Sequence, residues 1–172
     1  GHGAMAFPNN GGLVIDLCEL RRVDVDGTRV GIGGGAVWGE VARELGRHGL
    51  ALSSGDTKSV GVGGLSLGGG IGWMVRNRGL AIDNLVGAEV VLASGEIVGA
   101  SRDEHPELFW ALRGGGGNLG IVTSFVFHAH ELDGVVVDHL DFAREDLRGV
   151  LRGYRDHLRA ASEELNVTFL AH

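Results

Sequence analysis

The sequence predicts a domain of short helices and antiparallel strands organised around glycine-rich loops, and three observations carry that prediction. Asp26-Gly27 lies between the alternating runs Val23-Asp24-Val25 and Thr28-Arg29-Val30-Gly31-Ile32, which is a strong local hairpin signal. A second hairpin is written in Leu85 to Leu92, the turn Ala93-Ser94-Gly95-Glu96 and Ile97-Val98-Gly99-Ala100. Between and after these, apolar residues recur at helical spacing in Val37, Val41 and Leu45, and again in Leu108, Phe109 and Leu112.

Taken in order, Gly11 to Leu17 follows the turn signal Pro8-Asn9-Asn10 and reads as a short strand. After the first hairpin, a helix from Ala36 to Leu45 is expected to stop near Gly46 or Gly49. Gly31-Ile32-Gly33-Gly34-Gly35-Ala36 satisfies the dinucleotide pattern G-x-G-x-x-A between a strand and a helix. Its context fails, because the strand belongs to a hairpin and no parallel βαβ partner follows. Glycines serving a tight strand-to-helix turn are the alternative reading.

Gly55 to Gly72 is the stretch the chain is arranged to hold, since nearly half its residues are glycine. Such density loses much backbone entropy on folding and calls for a compensating reason. Bare main chain can approach a flat ring closely, and successive amides can cradle phosphate oxygens. A flexible linker is the alternative, but Val60, Val62, Leu65, Leu67, Ile71 and Trp73 need burial that a linker does not provide. A short helix from Trp73 is expected to close at Gly79, and Pro106 at the first turn opens the helix Glu104 to Leu112. Directly after it, Arg113 to Gly120 forms a second glycine cluster that feeds the strand Ile121 to Phe127. Two such turns suggest two walls of one cofactor cleft.

Composition narrows the partners. The 172 residues carry a formal charge of −7, with arginines scattered, so no basic face for nucleic acid is expected. No apolar run approaches the roughly 20 residues that cross a bilayer, and a cytoplasmic protein is the default expectation. Glycine at 32 residues, with no G-X-Y period and only two prolines, excludes collagen. The single cysteine, Cys18, excludes an internal disulfide and is read as a small buried hydrophobe. His128 and His130 alternate on one strand face, but the chain lacks metal-ligand spacing around them, so no metal is expected. Trp38, Trp73 and Trp110 are read as core or cleft-wall residues.

Gly55 to Trp73, Gly79 to Leu85 and Leu108 to Thr123 together resemble the FAD-binding module of the vanillyl-alcohol oxidase (PCMH-type) superfamily, and within it the berberine-bridge-enzyme-like FAD-linked oxidases. The resemblance covers residues from about 11 to 130. It implies an α+β fold with a mixed or antiparallel sheet flanked by helices, residues 1–130 forming the FAD-binding module, incomplete at its N-terminus, and 131–172 beginning a substrate or cap domain. It implies that Gly55, Thr57, Ser59, Val60 and Gly61, with the backbone around Gly63, Gly64 and Leu65, contact the pyrophosphate and ring. Ile71 and Gly72 would lie near the isoalloxazine or ribityl chain, and Gly117, Asn118, Gly120, Ile121 and Val122 on the adenosine and ring-edge side.

Family members often attach the flavin through a histidine of an N-terminal glycine loop, which makes His2 the candidate, with a remnant of cloning as the other reading of Gly1-His2-Gly3. The position of the family's cysteinyl link is Thr57, so no cysteinyl link is implied. The implied activity is oxidation of a small alcohol, sugar or amine-type substrate, with dioxygen accepting the electrons. A truncated or non-catalytic ligand-binding module of the same fold is the alternative. No catalytic side chain is identified, and Tyr154, the sole tyrosine, is a poor candidate in its helical setting. Beyond residue 131, Val135 to Leu140 reads as a strand, Glu145 to Ala160 as an amphipathic helix and Val167 to Leu170 as a strand.

Overall fold

Residues 11–169 are described by a computed structural model. They divide into two compact units between Asp133 and Gly134. The first is built on an antiparallel sheet of five strands in the order β1-β2-β6-β4-β5, an α+β arrangement. Strands β1 (Val23–Asp26) and β2 (Arg29–Gly33) form the hairpin at Asp26-Gly27, and β4 (Leu85–Val91) with β5 (Ile97–Ser101) the second. Strand β6 (Ile121–His128) enters between the hairpins and pairs with both β2 and β4.

This central strand changes register midway. Glu89 pairs with Ser124 but Val90 pairs with Val122, leaving Thr123 as the extra residue of a bulge. A bulge shifts the two-residue alternation by one, so Val122, Phe125 and Phe127 all reach the core although the first pair are three apart. Val30, Ile32, Ala88, Val90, Val98 and Ala100 from the flanking strands meet them there. Helix α1 (Trp38–Gly46) adds Trp38, Val41 and Leu45, one stripe at helical spacing, and Trp38 meets Phe127 edge to face at 5.9 Å. A two-residue pairing of β3 (Leu50–Ala51) with β7 (His130–Glu131) closes the end of the sheet beyond β6.

Glycines 33 to 35 resolve the dinucleotide pattern in favour of a tight turn. A Cβ at Gly34 would stand 2.3 Å from the Val122 carbonyl oxygen, and one at Gly33 would stand 2.2 Å from that of Leu20. The amides of Gly33, Gly34 and Gly35 already donate to Arg22, Thr123 and Leu20 carbonyls at 2.7 to 2.9 Å. No donor is left there for a phosphate; the glycines let main chains cross.

Several expectations are corrected. Residues 11–17 are not a strand: Leu13, Val14 and Ile15 are exposed, and no neighbouring strand among the described residues offers them a ladder. Cys18, within the same exposed segment, is exposed and not a buried hydrophobe. In the second unit only the helix forms, as α5 (Leu147–Ala160). Val135 to Leu140 is exposed chain without a strand partner among the described residues, and 167–169 is likewise irregular, Leu170 lying outside the described residues. Tyr154 is engaged within this unit, its hydroxyl donating to the Val167 carbonyl at 3.1 Å and its ring meeting Phe169.

Because Gly34 touches the backbone of the central strand and Gly46 faces open space at the end of α1, Gly34→Ala is expected to destabilise by about 2–3 kcal/mol and Gly46→Ala to stabilise by up to about 1 kcal/mol. Urea denaturation of the two variants measures the contrast; equal midpoints would refute the crossing argument.

Candidate functional site

The glycine stretch is not a free loop. Its entry is fastened to the start of α1, where Gly39 N–H donates to the Lys58 carbonyl (2.8 Å), Trp38 N–H to that of Val60 (3.0 Å) and Val62 N–H to that of Ala36 (2.9 Å). The chain then forms a six-residue helix, α2 (Val62–Leu67), that glycine density had concealed. Val62 and Ser66, four apart, face inward and anchor it, while Leu65 and Leu67 pack on the core from its flank. Gly61 and Gly64 are left on the outside.

Gly116 N–H donates to the Leu67 carbonyl at 2.9 Å, so the second glycine cluster meets the first at the end of α2. That cluster follows α4 (Pro106–Leu112), which is held by buried Phe109 and Leu112. The Arg113 guanidinium lies over the Phe109 ring, 5.2 Å from its centre. Trp110 turns outward and is 74% exposed, so it is neither core nor cleft wall; Trp73 is also exposed, whereas Trp38 is buried.

A third element sits between the clusters. Helix α3 (Val75–Arg78) ends at Gly79, as the sequence predicts, with φ of 71°, and a 3-10 turn follows over Ala81–Asp83. Ala81 N–H donates to the Gly70 carbonyl (2.9 Å) and Ile82 N–H to that of Gly69 (3.1 Å). Asn84, 6% exposed, gives its amide hydrogens to the Arg78 and Leu80 carbonyls, both at 2.9 Å, and its oxygen meets His130 Nε2 at 2.5 Å. Sequence reasoning missed Asn84, Leu67 and this turn, since their partners are distant in the chain.

The glycines fall into two groups. Gly72 is explained by the protein, because a Cβ there would stand 1.7 Å from the Ser54 carbonyl; Gly55 lies against Leu65, and Gly120 lies under the Val91 carbonyl. Gly61, Gly64 and Gly117 would carry a Cβ into open space, so no protein contact accounts for them. Of the other candidates, Gly63 lies over the Gly34 carbonyl, Val122 is buried in the core, Ile121 is half-buried, and Ser59 and Asn118 are exposed. The Thr57 hydroxyl donates to exposed Asp56 at 2.9 Å, Val60 is half-buried, and Ile71 is 74% exposed beside the glycines. His2 lies outside the described residues. The surface over the glycines is open: two concavities, one along Arg21, Glu40 and Arg47 and one along Thr28, Arg78 and His130, have no glycine-cluster residue in their lining.

His128 and His130 stand ring to ring at 5.4 Å. Among the described residues no group of three or more His, Cys, Asp or Glu side chains could hold a metal ion, and no helix is long and apolar enough to cross a membrane.

Bare backbone opening outward at two joined clusters suits a flat dinucleotide, and comparison with known proteins names one. The family described as "FAD binding domain" matches residues 1–101. (R)-6-hydroxynicotine oxidase of Paenarthrobacter nicotinovorans is 42% identical over 135 residues, 77% of this chain and 30% of the relative. The crystal structure of 6-hydroxy-D-nicotine oxidase from Arthrobacter nicotinovorans matches with a TM-score of 0.81 at 39% identity, over 87% of this chain and 34% of that one. Glucooligosaccharide oxidase from Acremonium strictum, in a structure on the functional roles of its 6-S-cysteinyl, 8α-N1-histidyl FAD, gives 0.64 at 47% identity over 66% of this chain and 24% of that one. The chain thus spans about a third or less of the length of the relatives it matches.

The His130 ring has a testable consequence for stability. Burial first, then the Arg78 guanidinium and His128, hold its imidazole below the ordinary value. Arg78 from α3, His128 from β6, Glu131 from β7 and Asp133 are the charged or titratable groups around this concavity. With the folded pKa depressed, the folded chain binds fewer protons than the unfolded one, so stability rises with pH across the window between the two values. Acidification through the unfolded value, about 6.5, is therefore expected to lower the Tm of the unaltered chain more than that of His130→Gln. Parallel thermal melts at pH 7.5 and 5 check this, and equal losses would refute it.

Proposed function

Since the chain belongs to the FAD binding domain family of FAD-linked oxidoreductases, we propose that its two glycine clusters hold the flavin dinucleotide of an oxidase. One observation supports this most directly: Gly61, Gly64 and Gly117 present side-chain-free backbone to open space, on segments joined by the Gly116 to Leu67 hydrogen bond. A glycine whose added Cβ would meet no protein atom, and which adopts ordinary backbone angles, has no need within the fold to be glycine. Close approach by a ligand supplies the need.

Gly61, Gly63, Gly64 and Leu65 would hold the dinucleotide on one side, with Gly117 and Asn118 on the other. Exposed Ile71 and Trp73 place large apolar surface beside the first cluster, where a planar ring can cover it. Bound FAD supplies the redox chemistry, accepting a hydride from a carbon that bears a hydroxyl or amine and returning the electrons to dioxygen. The chain's residues fix the position of the flavin and shield it from water. Two of the named relatives are oxidases of a hydroxynicotine and of glucooligosaccharides while sharing this segment at comparable identity. That pattern supports a segment for the cofactor, with substrate choice made elsewhere. The unit from Gly134, with helix α5, is read as the start of the part that covers the substrate.

His2 is the proposed attachment point, by analogy with the histidyl flavin of glucooligosaccharide oxidase. A cysteinyl bond is not proposed, since the glycine stretch holds no cysteine and the chain's one thiol, Cys18, lies on the exposed segment before β1.

The decisive variant is Gly64→Ala. Within helix α2 it is expected to raise stability by up to about 1 kcal/mol, and by filling the open surface to weaken FAD binding by about tenfold or more. Titration with FAD followed by flavin fluorescence, alongside urea denaturation, reads both. Unchanged affinity would sink the placement, and an unaltered chain that takes up no FAD would sink the function. For the linkage, acid precipitation is expected to retain yellow flavin with the unaltered chain and release it from His2→Ala; release from both overturns attachment at His2.

A further inference from the structure

Three consecutive carbonyls, those of Arg78, Gly79 and Leu80, accept hydrogen bonds from buried side chains: Asn84 serves the first and third, and Ser53 the second at 2.5 Å. Such complete clamping of a loop backbone is unusual, since most loop carbonyls face water. The clamp has a definite polarity. Both acceptors of the Asn84 amide are carbonyls, so that end is the NH2 group and the other is an oxygen, which can only accept. His130 Nε2 must then carry a hydrogen and donate it to Asn84 Oδ1. One arrangement satisfies every group, and it joins the 78–84 turn to the strand end 46 residues away.

The turn supports the end of the first glycine cluster and borders the second. Its amides at Ala81 and Ile82 support the Gly70 and Gly69 carbonyls, and the Ile82 side chain lies 3.9 Å from where a Cβ of Gly114 would stand. We propose that Asn84 and His130 are positioning residues for the cofactor: their part-buried hydrogen bond fixes the turn that supports the end of the first cluster and borders the second, and thereby the span of backbone offered to the flavin. Neither needs to touch the ligand. The inference deepens the flavin reading and rests on it for its functional part, while the structural part stands on the apo chain alone.

The test combines amide hydrogen exchange at Ala81 and Ile82 in the FAD-free chain with FAD titration, across His130→Ala, His130→Met, His130→Gln and Asn84→Asp. Ala and Met remove the N–H donor, Met while filling the volume; Gln keeps a donor where Nε2 was; Asp keeps the acceptor but loses both donors to the loop. Exchange about tenfold faster or more, with FAD binding weakened in proportion, is expected for Ala, Met and Asp, and values near the unaltered chain for Gln. If the Ala variant does not fold, Met and Asp against Gln still decide. Equal exchange in Met, Gln and the unaltered chain would overturn the proposal. Faster exchange in Met, rescued by Gln, upholds the clamp even if the unaltered chain binds no FAD, in which case the flavin reading alone falls.

Discussion

The hydrogen bond from Gly116 to the Leu67 carbonyl is the junction on which the arrangement of the first unit depends. It brings together two segments that leave the fold at different places, one fastened beside the start of α1 and one following α4. Each segment is secured at its own base by apolar anchors: Val62 beneath α2, and Phe109 and Leu112 beneath the second cluster. With both bases fixed in one core, this main-chain contact ties the two segments together at the end of α2. A net contribution of about 1 kcal/mol is ordinary for such a bond, and its consequence lies in geometry more than in stability.

Glycine does two different things here, and the surroundings of an added Cβ separate them. At Gly34, Gly72 and Gly120 a neighbouring carbonyl occupies the space, so the missing side chain is the condition for two main chains to pass. At Gly61, Gly64 and Gly117 nothing of the protein occupies it. The first group lets strand ends and loops cross; the second leaves surface. Substitution in the first group strikes folding, whereas substitution in the second strikes whatever lies on the surface, which is why stability and affinity are expected to move in opposite directions at Gly64.

Local signals in the sequence were read with success wherever the determining contact is also local. Asp26-Gly27 and Ser94-Gly95 close their hairpins, and Pro106 opens α4. Reading failed where the partner is remote. Which glycines face protein depends on Val122, Ser54 and Val91, each supplied from elsewhere in the chain. The Asn84 to His130 bond spans 46 residues and leaves no local periodicity. Helix α2 was hidden for another reason: two of its six residues are glycine and glycines flank it at both ends, and its two anchors, Val62 and Ser66, are too few for a helical stripe to show. The FAD-binding family was legible through resemblance, since glycine-rich stretches offer little side-chain chemistry to read.

The failed strands follow from the same distinction between intrinsic and relational properties. Leu13-Val14-Ile15 and Val135-Val136-Val137 have the β-branched, apolar composition of strands, yet all six side chains are exposed. A helix closes its hydrogen bonds within itself, and α5 accordingly forms in the second unit with no buried residue. A strand cannot do this. Its backbone groups need a neighbour, so apolar alternation specifies only the capacity to pair, and without a ladder to join, the same residues remain as extended chain in water. The five-stranded sheet obeys the rule from the other side: β6 takes the central place because a hairpin flanks it on each side, and Val122, Phe125 and Phe127 are buried along it.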